Sequence, residues 1–426
     1  MKNWNSLILG TTLMVGAATF GCERNEIAQT KAETAKTVTP KSAEGAIIPG
    51  QFIVLFNEAV IPPAISYLDM DQIQSREEKV VLMTEYNAKV ETKINQWLAQ
   101  NGIKEEQVLY RYTSVAAGVA IRIDEATQKR IGLDPSVASI EHDREEHLPP
   151  FVVESIDRGN NRAQTTPCGI TNAGGFATAT TDRWIWIVDT GVDLDHPDLN
   201  VVTTSPYPAT FVGGTADDCN GHGTHCAGIA GARNNTIGVV GVAAGAPVVP
   251  VRVFGCSGGS SSSTIISGIN HVGTYDYAGD VVNLSLGGYY GTSGCSTGSP
   301  YRTPILNLTA GGTRVAIASG NNNSLSSYYQ PGCISGTNIF TVTNMTCAKT
   351  YYNDPTYGGN RGMPPVDVIA TGTSVYSTYA GGTYATLTGT SMATPHVAGI
   401  MQVRNAGPLT SGTVSYLGVN YPIAVR

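Results

Sequence analysis

The run WIWIVDTG, residues 184–191, sets how the chain is read: five apolar residues end on a carboxylate and a glycine-containing turn. An unbroken apolar stretch this short, rich in β-branched and aromatic residues, has the character of a strand buried on both faces, as in a parallel sheet. The pattern returns in PVVPVRVFG (247–255), DVVNLSLGG (280–288), TRVAIASGN (313–321) and NIFTVTN (338–344). Helical spacing falls between and after them, in HCAGIAGARN (225–234), STIISGINHVGTYDYAG (263–279) and MATPHVAGIMQVRN (392–405). The expectation is an α/β domain, a three-layer doubly wound, mostly parallel sheet, with functional residues in loops at the carboxyl ends of the strands.

Toward the N-terminus the rhythm changes. QFIVLF alternates as a strand, residues 77–102 have helical spacing, VLYRYT and AGVAIRI read as strands, DEATQKRIGLDPS as a second helix, and VASIEHD as a last strand. That β-α-β-β-α-β order makes a small α+β, ferredoxin-like sheet with helices on one face. Before it, the polar segment 23–46 cannot bury enough surface to offset the entropy of ordering it and reads as a flexible linker. The first 22 residues combine a basic start with an apolar run too short to remain in a bilayer, an export signal. Gly21-Cys22 leaves two readings open, a lipoprotein acceptor site or ordinary signal cleavage nearby. The expected divisions are therefore 1–22, 23–46, 47–148 and 149–426.

With 426 residues, 14% of them charged, a net charge of −7 and no basic run interleaved with aromatics, the chain has no nucleic-acid partner to expect. No later segment offers about twenty continuous apolar residues, so nothing else should cross a membrane.

Polar residues follow the apolar runs. Asp189 caps WIWIV; it is either a turn residue or a half-desolvated carboxylate in need of a partner. His222 stands between glycines in DCNGHGTHCAG (218–228), three positions before His225. Zinc is disfavoured there, because no Glu intervenes as in HExxH and no third ligand is evident. Ser391 in GTSMATPHVAG (389–399) opens a helix, either as its cap or as a nucleophile at its positive end, and Pro395 suits a first helical turn. Together these supply nucleophile, base and orienter. Asn321 is a loop residue in an Asn-rich turn or, with the Ser391 backbone N–H, an oxyanion donor.

The motifs DTGVDLDHPDL, GHGTHCAG, NLSLGG, ASGN and GTSMATPHVAG, in the order Asp, His, Ser, resemble those of subtilisin-like serine proteases, and within them the proteinase K-like branch. The resemblance covers about residues 150–405. It implies that Asp189 orients, His222 acts as base and then acid, Ser391 attacks and Asn321 binds the oxyanion, while His225 and His396 are structural. It further implies that Ser285, Leu286, Gly287 and Gly288 pair with an extended polypeptide substrate, that Ala318, Ser319 and Gly320 wall a pocket for large apolar residues, and that specificity is broad. Residues 47–148 resemble an inhibitory propeptide whose tail fills the cleft until self-cleavage near Leu148 to Phe151. The implied product is a secreted, monomeric endopeptidase, with any lipid on Cys22 left on the propeptide side.

No cofactor is implied for catalysis. Structural calcium is implied at Asp367 in PPVDVIATG, although the local sequence TYGGNRGMPP departs from the family. Of eight cysteines, Cys226 is expected free and Cys219–Cys256 bridged by resemblance, with Cys333–Cys347 and Cys168–Cys295 as the preferred remaining pairs. Relatives usually add a helix and strands after the Ser391 helix; here only residues 407–426 follow, so weaker packing beneath the site is expected. A binding module that keeps the fold without catalysis would lack one of the four site residues. A lipid or ester hydrolase would carry the G-x-S-x-G elbow, absent here.

Overall fold

The structure, a computed structural model, describes residues 45–64, 68, 72–159, 163–291, 295 and 299–426, and the backbone of Thr37–Val38. The export signal, Cys22 and most of the segment read as linker lie outside the described residues. Within that segment Thr37–Val38 forms a short strand, antiparallel to Val152 and Val153.

The N-terminal part runs β1 (Ile47–Phe56), α1 (Arg76–Gln100), β2 (Val108–Tyr112), β3 (Gly118–Arg122), α2 (Glu125–Ile131) and β4 (Val137–His147). Ser75 caps α1 by accepting from Glu78 N, and Asp124 caps α2 by accepting from Thr127 N. Period-two alternation in QFIVLF splits the strand between two cores. Phe52, Val54 and Phe56 pack with Met83, Tyr86, Ile94 and Trp97 of α1, while Ile53 and Leu55 join the core of the following domain. This sheet is thus covered on both faces, one by its own helices and one by the rest of the chain.

The larger part begins with β5 (Val152–Asp157) and continues through β6 (Ile185–Asp189), α3 (His222–Gly231), β7 (Pro247–Arg252), β8 (Gly259–Ser261), α4 (Ser262–Tyr275), β9 (Val281–Leu284), α5 (Arg302–Ala310), β10 (Arg314–Ala318), β11 (Ile339–Met345), β12 (Val366–Thr371), β13 (Val375–Tyr379), β14 (Thr383–Thr388), α6 (Thr390–Arg404), β15 (Leu409–Tyr416) and β16 (Val419–Val425). Among the described residues the main sheet has ten strands, with β7-β6-β9-β10-β11-β12-β16-β15 in spatial order. Neighbours are parallel from β7 to β16, and only the closing β15–β16 hairpin is antiparallel. Ile185 and Ile187 face the layer of α3 and α6; Trp186 and Val188 face that of α4 and α5. The result is the expected three-layer, doubly wound sheet. No described helix is long and apolar enough to cross a membrane.

Three details differ from the sequence reading. The disulfides are Cys168–Cys347, Cys219–Cys256 and Cys295–Cys333, with Cys226 free and buried. Cys219–Cys256 matches the expectation, but Cys333–Cys347 and Cys168–Cys295 are corrected. Cys347 follows β11 beside the short helix Cys168–Asn172, where Asn172 Nδ2 donates to the Cys347 carbonyl. Cys333, whose N–H bonds to Tyr329 O, lies instead under the short strand Tyr329–Gln330 that pairs with Gly288–Tyr289, within reach of Cys295. Second, α6 begins at Thr390, so Pro395 falls inside the helix, beyond its first turn. Third, the hairpin after α6 closes the sheet edge: Val414, Tyr421 and Ile423 pack with Met345, Tyr351, Val366 and Ile369 in a cluster of their own.

Candidate active site

The strand order reverses at β6, with β7 on one side and β9 on the other, and Asp189 is the last residue of β6. A crevice at such a switch point is where doubly wound sheets present their loops. Asp189 is fully buried. Its backbone carbonyl accepts from Val253 N and Phe254 N, and Oδ1 accepts from Thr190 N at 2.7 Å, so the carboxylate is held in one orientation.

His222 starts α3. Gly221, before it, has φ of +104°, and the Tyr379 ring occupies the place a Cβ would take, at 2.2 Å, so only glycine turns the chain into this helix. Asp218 braces the turn: Oδ1 accepts from Gly221 N, and Oδ2 from Thr224 N and Thr224 Oγ1. The imidazole meets the carboxylate directly, Nδ1–H donating to Asp189 Oδ1 at 2.8 Å with Oδ2 at 3.0 Å. This fixes the proton on Nδ1 and leaves Nε2 as an acceptor. Nε2 is buried without a hydrogen-bond partner.

Ser391 is the second residue of α6, not its cap, and is fully buried. Its Oγ donates to the Ser285 carbonyl at 3.3 Å. The serine–histidine hydrogen bond is therefore not made in this state. What fills the cleft is the chain's own tail: the Phe151 ring packs on His222 with centroids 4.9 Å apart, and Asn321 Nδ2 donates to the Pro150 carbonyl at 2.9 Å. Asn321 is aimed by Thr390 N, which donates to its Oδ1 at 2.8 Å. The Asn321 loop is itself tied down by Asn360, whose Oδ1 accepts from Asn322 N and Ser324 N and whose Nδ2 donates to Ser319 O.

The remaining residues named from sequence divide by position. Ser285 touches Ser391 twice, through its carbonyl and through Oγ, which donates to the Ser391 carbonyl at 2.9 Å. Leu286 is buried in the core. Gly288 pairs with Gln330, and the strand registered against the propeptide tail is β8, with Gly259 opposite His147 and Ser260 opposite Glu146. Ala318 ends β10, and Ser319 and Gly320 lead into Asn321; Ser319 Oγ donates to Asn360 O.

His225 Nε2 contacts the carbonyls of Val375 and Ala385, and burial pushes its pKa down to about 3; His396 Nδ1 meets Met392 O, and burial pushes it down to about 4. Both are neutral structural rings. Burial also raises the Cys226 thiol well above its usual value, which keeps it an inert thiol. Asp367 Oδ2 accepts from Thr341 N at 2.8 Å, and Asp367 stands apart from the one cluster of three His, Cys, Asp or Glu ligand atoms in mutual reach among the described residues, Asp189, His222 and Cys226. Sequence reasoning missed Asp218 and Asn360 and set Pro395 in the first helical turn instead of inside the helix. Asp218 was visible as a carboxylate four positions before His222; Asn360 is forty residues from the loop it holds.

The profile of the Subtilase family matches residues 182–411, and that of peptidase inhibitor I9 matches residues 51–149. The chain belongs to the subtilase family. It is 32% identical over 362 residues to the extracellular serine proteinase of Thermus sp. (strain Rt41A), covering 83% of this chain and 79% of that one. It is 32% identical to subtilisin E of Bacillus subtilis (strain 168) over 304 residues, 69% of this chain and 71% of that one. Thermitase of Thermoactinomyces vulgaris is 39% identical over 217 residues, 51% of this chain and 72% of that one. This subtilase is a serine peptidase made as a zymogen, with an inhibitor domain ahead of the peptidase domain.

Proposed function

We propose that Ser391, His222, Asp189 and Asn321 form the catalytic set of an exported endopeptidase that cuts its own chain between Pro150 and Phe151. The observation that carries this reading is the Asn321 amide on the Pro150 carbonyl, beside the Asp189–His222 pair and Ser391. Turning Ser391 Oγ from the Ser285 carbonyl to the bare Nε2 gives the imidazole a proton to take. Oγ then attacks the Pro150 carbonyl carbon, and the negative charge on its oxygen is received by Asn321 Nδ2 and the positive end of α6. Asp189 stabilises the imidazolium, which returns its proton to the leaving nitrogen of Phe151. Water repeats the sequence on the acyl-enzyme.

Residues 47–148 act as intramolecular inhibitor, and the released enzyme works as a monomer on polypeptides with broad specificity, since recognition through backbone pairing ignores most side chains. Export fits the relative named an extracellular serine proteinase. The lipid anchor at Cys22 is left out of the proposal, and calcium is not assigned to Asp367. Placement in the proteinase K-like branch rests on Cys226, the free thiol beside the catalytic histidine. In the test, the full chain and its Ser391→Ala variant are expressed side by side and treated with a fluorophosphonate, and any new N-terminus is sequenced. Expected are a product starting at Phe151 and labelling of the unaltered chain alone; cleavage that persists in Ser391→Ala would overturn the assignment.

A further inference from the structure

One buried carboxyl of the groove takes no part in the chemistry above. Glu146, on the last strand of the inhibitor domain, is 1% exposed, and its Oε1 accepts from three hydroxyls: Ser262 Oγ at 2.9 Å, Tyr290 OH at 2.5 Å and Tyr301 OH at 2.9 Å. Ser262 Oγ and Tyr290 OH are also 2.6 Å apart. Gly288 forms the floor, since a Cβ there would stand 2.5 Å from Glu146 Oε2. Every member of this cage belongs to the peptidase domain. Ser262 opens α4, and Tyr290 and Tyr301 stand on either side of Cys295, which is bridged to Cys333. All three hydroxyls therefore stay with the peptidase when the inhibitor leaves.

Three hydroxyls converging on one point ask for an oxygen. An aliphatic side chain would take away the acceptor they share, at a cost on the order of 1–3 kcal/mol for each hydroxyl left without a partner. The backbone register brings a substrate to the same point: Glu146 lies opposite Ser260 in an antiparallel ladder, Leu148 N donates to Gly258 O, and four residues on from Glu146 the Pro150 carbonyl sits on Asn321. We propose that the hydroxyls of Ser262, Tyr290 and Tyr301 form a subsite of the mature groove that takes the glutamate side chain of a polypeptide substrate, four residues before the residue whose carbonyl Asn321 receives. This rests on the peptidase reading. Aspartate is one methylene too short to reach the cage, and glutamine brings an NH2 group against Gly288, so the expected order is Glu, then Gln, then Asp and Ala.

The test uses enzyme released from the full chain by its own processing, at pH 6, below the value of about 7 to which burial pushes Glu146. Fluorogenic peptides of one common sequence carry Glu, Gln, Asp or Ala in turn at each of the second to fifth residues before the cleaved bond. Expected is a single position, four before the residue that donates the carbonyl, at which Glu exceeds Ala about tenfold or more in kcat/KM, mostly through KM. Tyr301→Phe, and independently Ser262→Ala, should reduce that Glu-to-Ala ratio several-fold. Equal kcat/KM for Glu and Ala at every position, or a preference for aliphatic residues at this one, overturns the subsite while leaving the peptidase intact. Absence of any cleavage overturns the peptidase reading and the subsite with it.

Discussion

Pro395 acts on the residue four positions before it. Lacking an N–H, it cannot take the helical bond to the Ser391 carbonyl, and that carbonyl instead accepts from Ser285 Oγ at 2.9 Å and from Cys226 Sγ at 3.4 Å. The proposed nucleophile is thereby tied to the loop after β9 and to the helix bearing His222. In Pro395→Ala the restored N–H would compete for the carbonyl; stability should hold or rise, while kcat/KM falls about tenfold, the worth of one hydrogen bond in a transition state. Melting and steady-state kinetics on the same preparation separate the two effects. Asn321→Ala should lower kcat by roughly 10²–10³ with little change in KM, a size borrowed from subtilisin rather than derived from this geometry. An equal loss in KM alone would mean Asn321 only binds substrate. GTSMATPHVAG was enough to mark Ser391, but placing Pro395 in a first turn missed its effect. The consequence depends on where the helix starts, and a shift of one or two residues is invisible to periodicity.

At the scale of elements, α1 carries the inhibitor's firmest attachment. Arg76 reaches Asp280 with both nitrogens at 2.7 and 2.8 Å and lies 3.7 Å over the Trp184 ring, and Lys79 pairs with Asp276. Both pairs are buried, and removing one partner of a buried pair costs about 3–5 kcal/mol. Arg76→Ala should therefore weaken inhibition by the cleaved domain by roughly 10²–10⁴-fold, measured as its Ki. β4 carries a second effect. Burial raises Glu146 from 4.5 to about 7, Asp143 adding to it and the hydroxyls of Tyr290, Tyr301 and Ser262 opposing it, while Arg144 sits 5.1 Å over the Tyr290 ring. A carboxyl raised on docking favours the complex fully below about pH 4.5, and that contribution is lost as pH rises through about 7. Release of the cleaved inhibitor should accelerate between pH 5 and 8 and level off above, and Glu146→Gln should flatten the profile; release that slows over this range would refute it.

For the whole molecule, Cys168–Cys347 closes a span of 179 residues. Such a link restricts the unfolded chain strongly, and losing it costs about 2–5 kcal/mol. The double replacement by serine should shorten the half-life of activity on heating far more than it changes kcat at 25 °C. The order of strands and helices was legible because WIWIV, VVPVRV and RVAIA are unbroken apolar runs bounded by turns. Asp189, His222 and Ser391 were legible because each sits in a motif at a run's end. The cysteine partners were not, since Cys333 and Cys347 are adjacent in sequence yet separated by β11, and proximity along a chain says nothing about which edge of a sheet a loop lands on. The cage around Glu146 was hidden for the same reason, its members coming from three separate segments.

The strand Gly259–Ser261 is a rung shared between two bodies, completing the inhibitor's sheet while belonging to the peptidase. Once the inhibitor departs, that rung has donors and acceptors facing solvent. Whatever replaces β4 must arrive as an uncoiled ribbon, so compact folded proteins should survive exposure to the enzyme until they breathe or denature, while slack loops and tails are cut first.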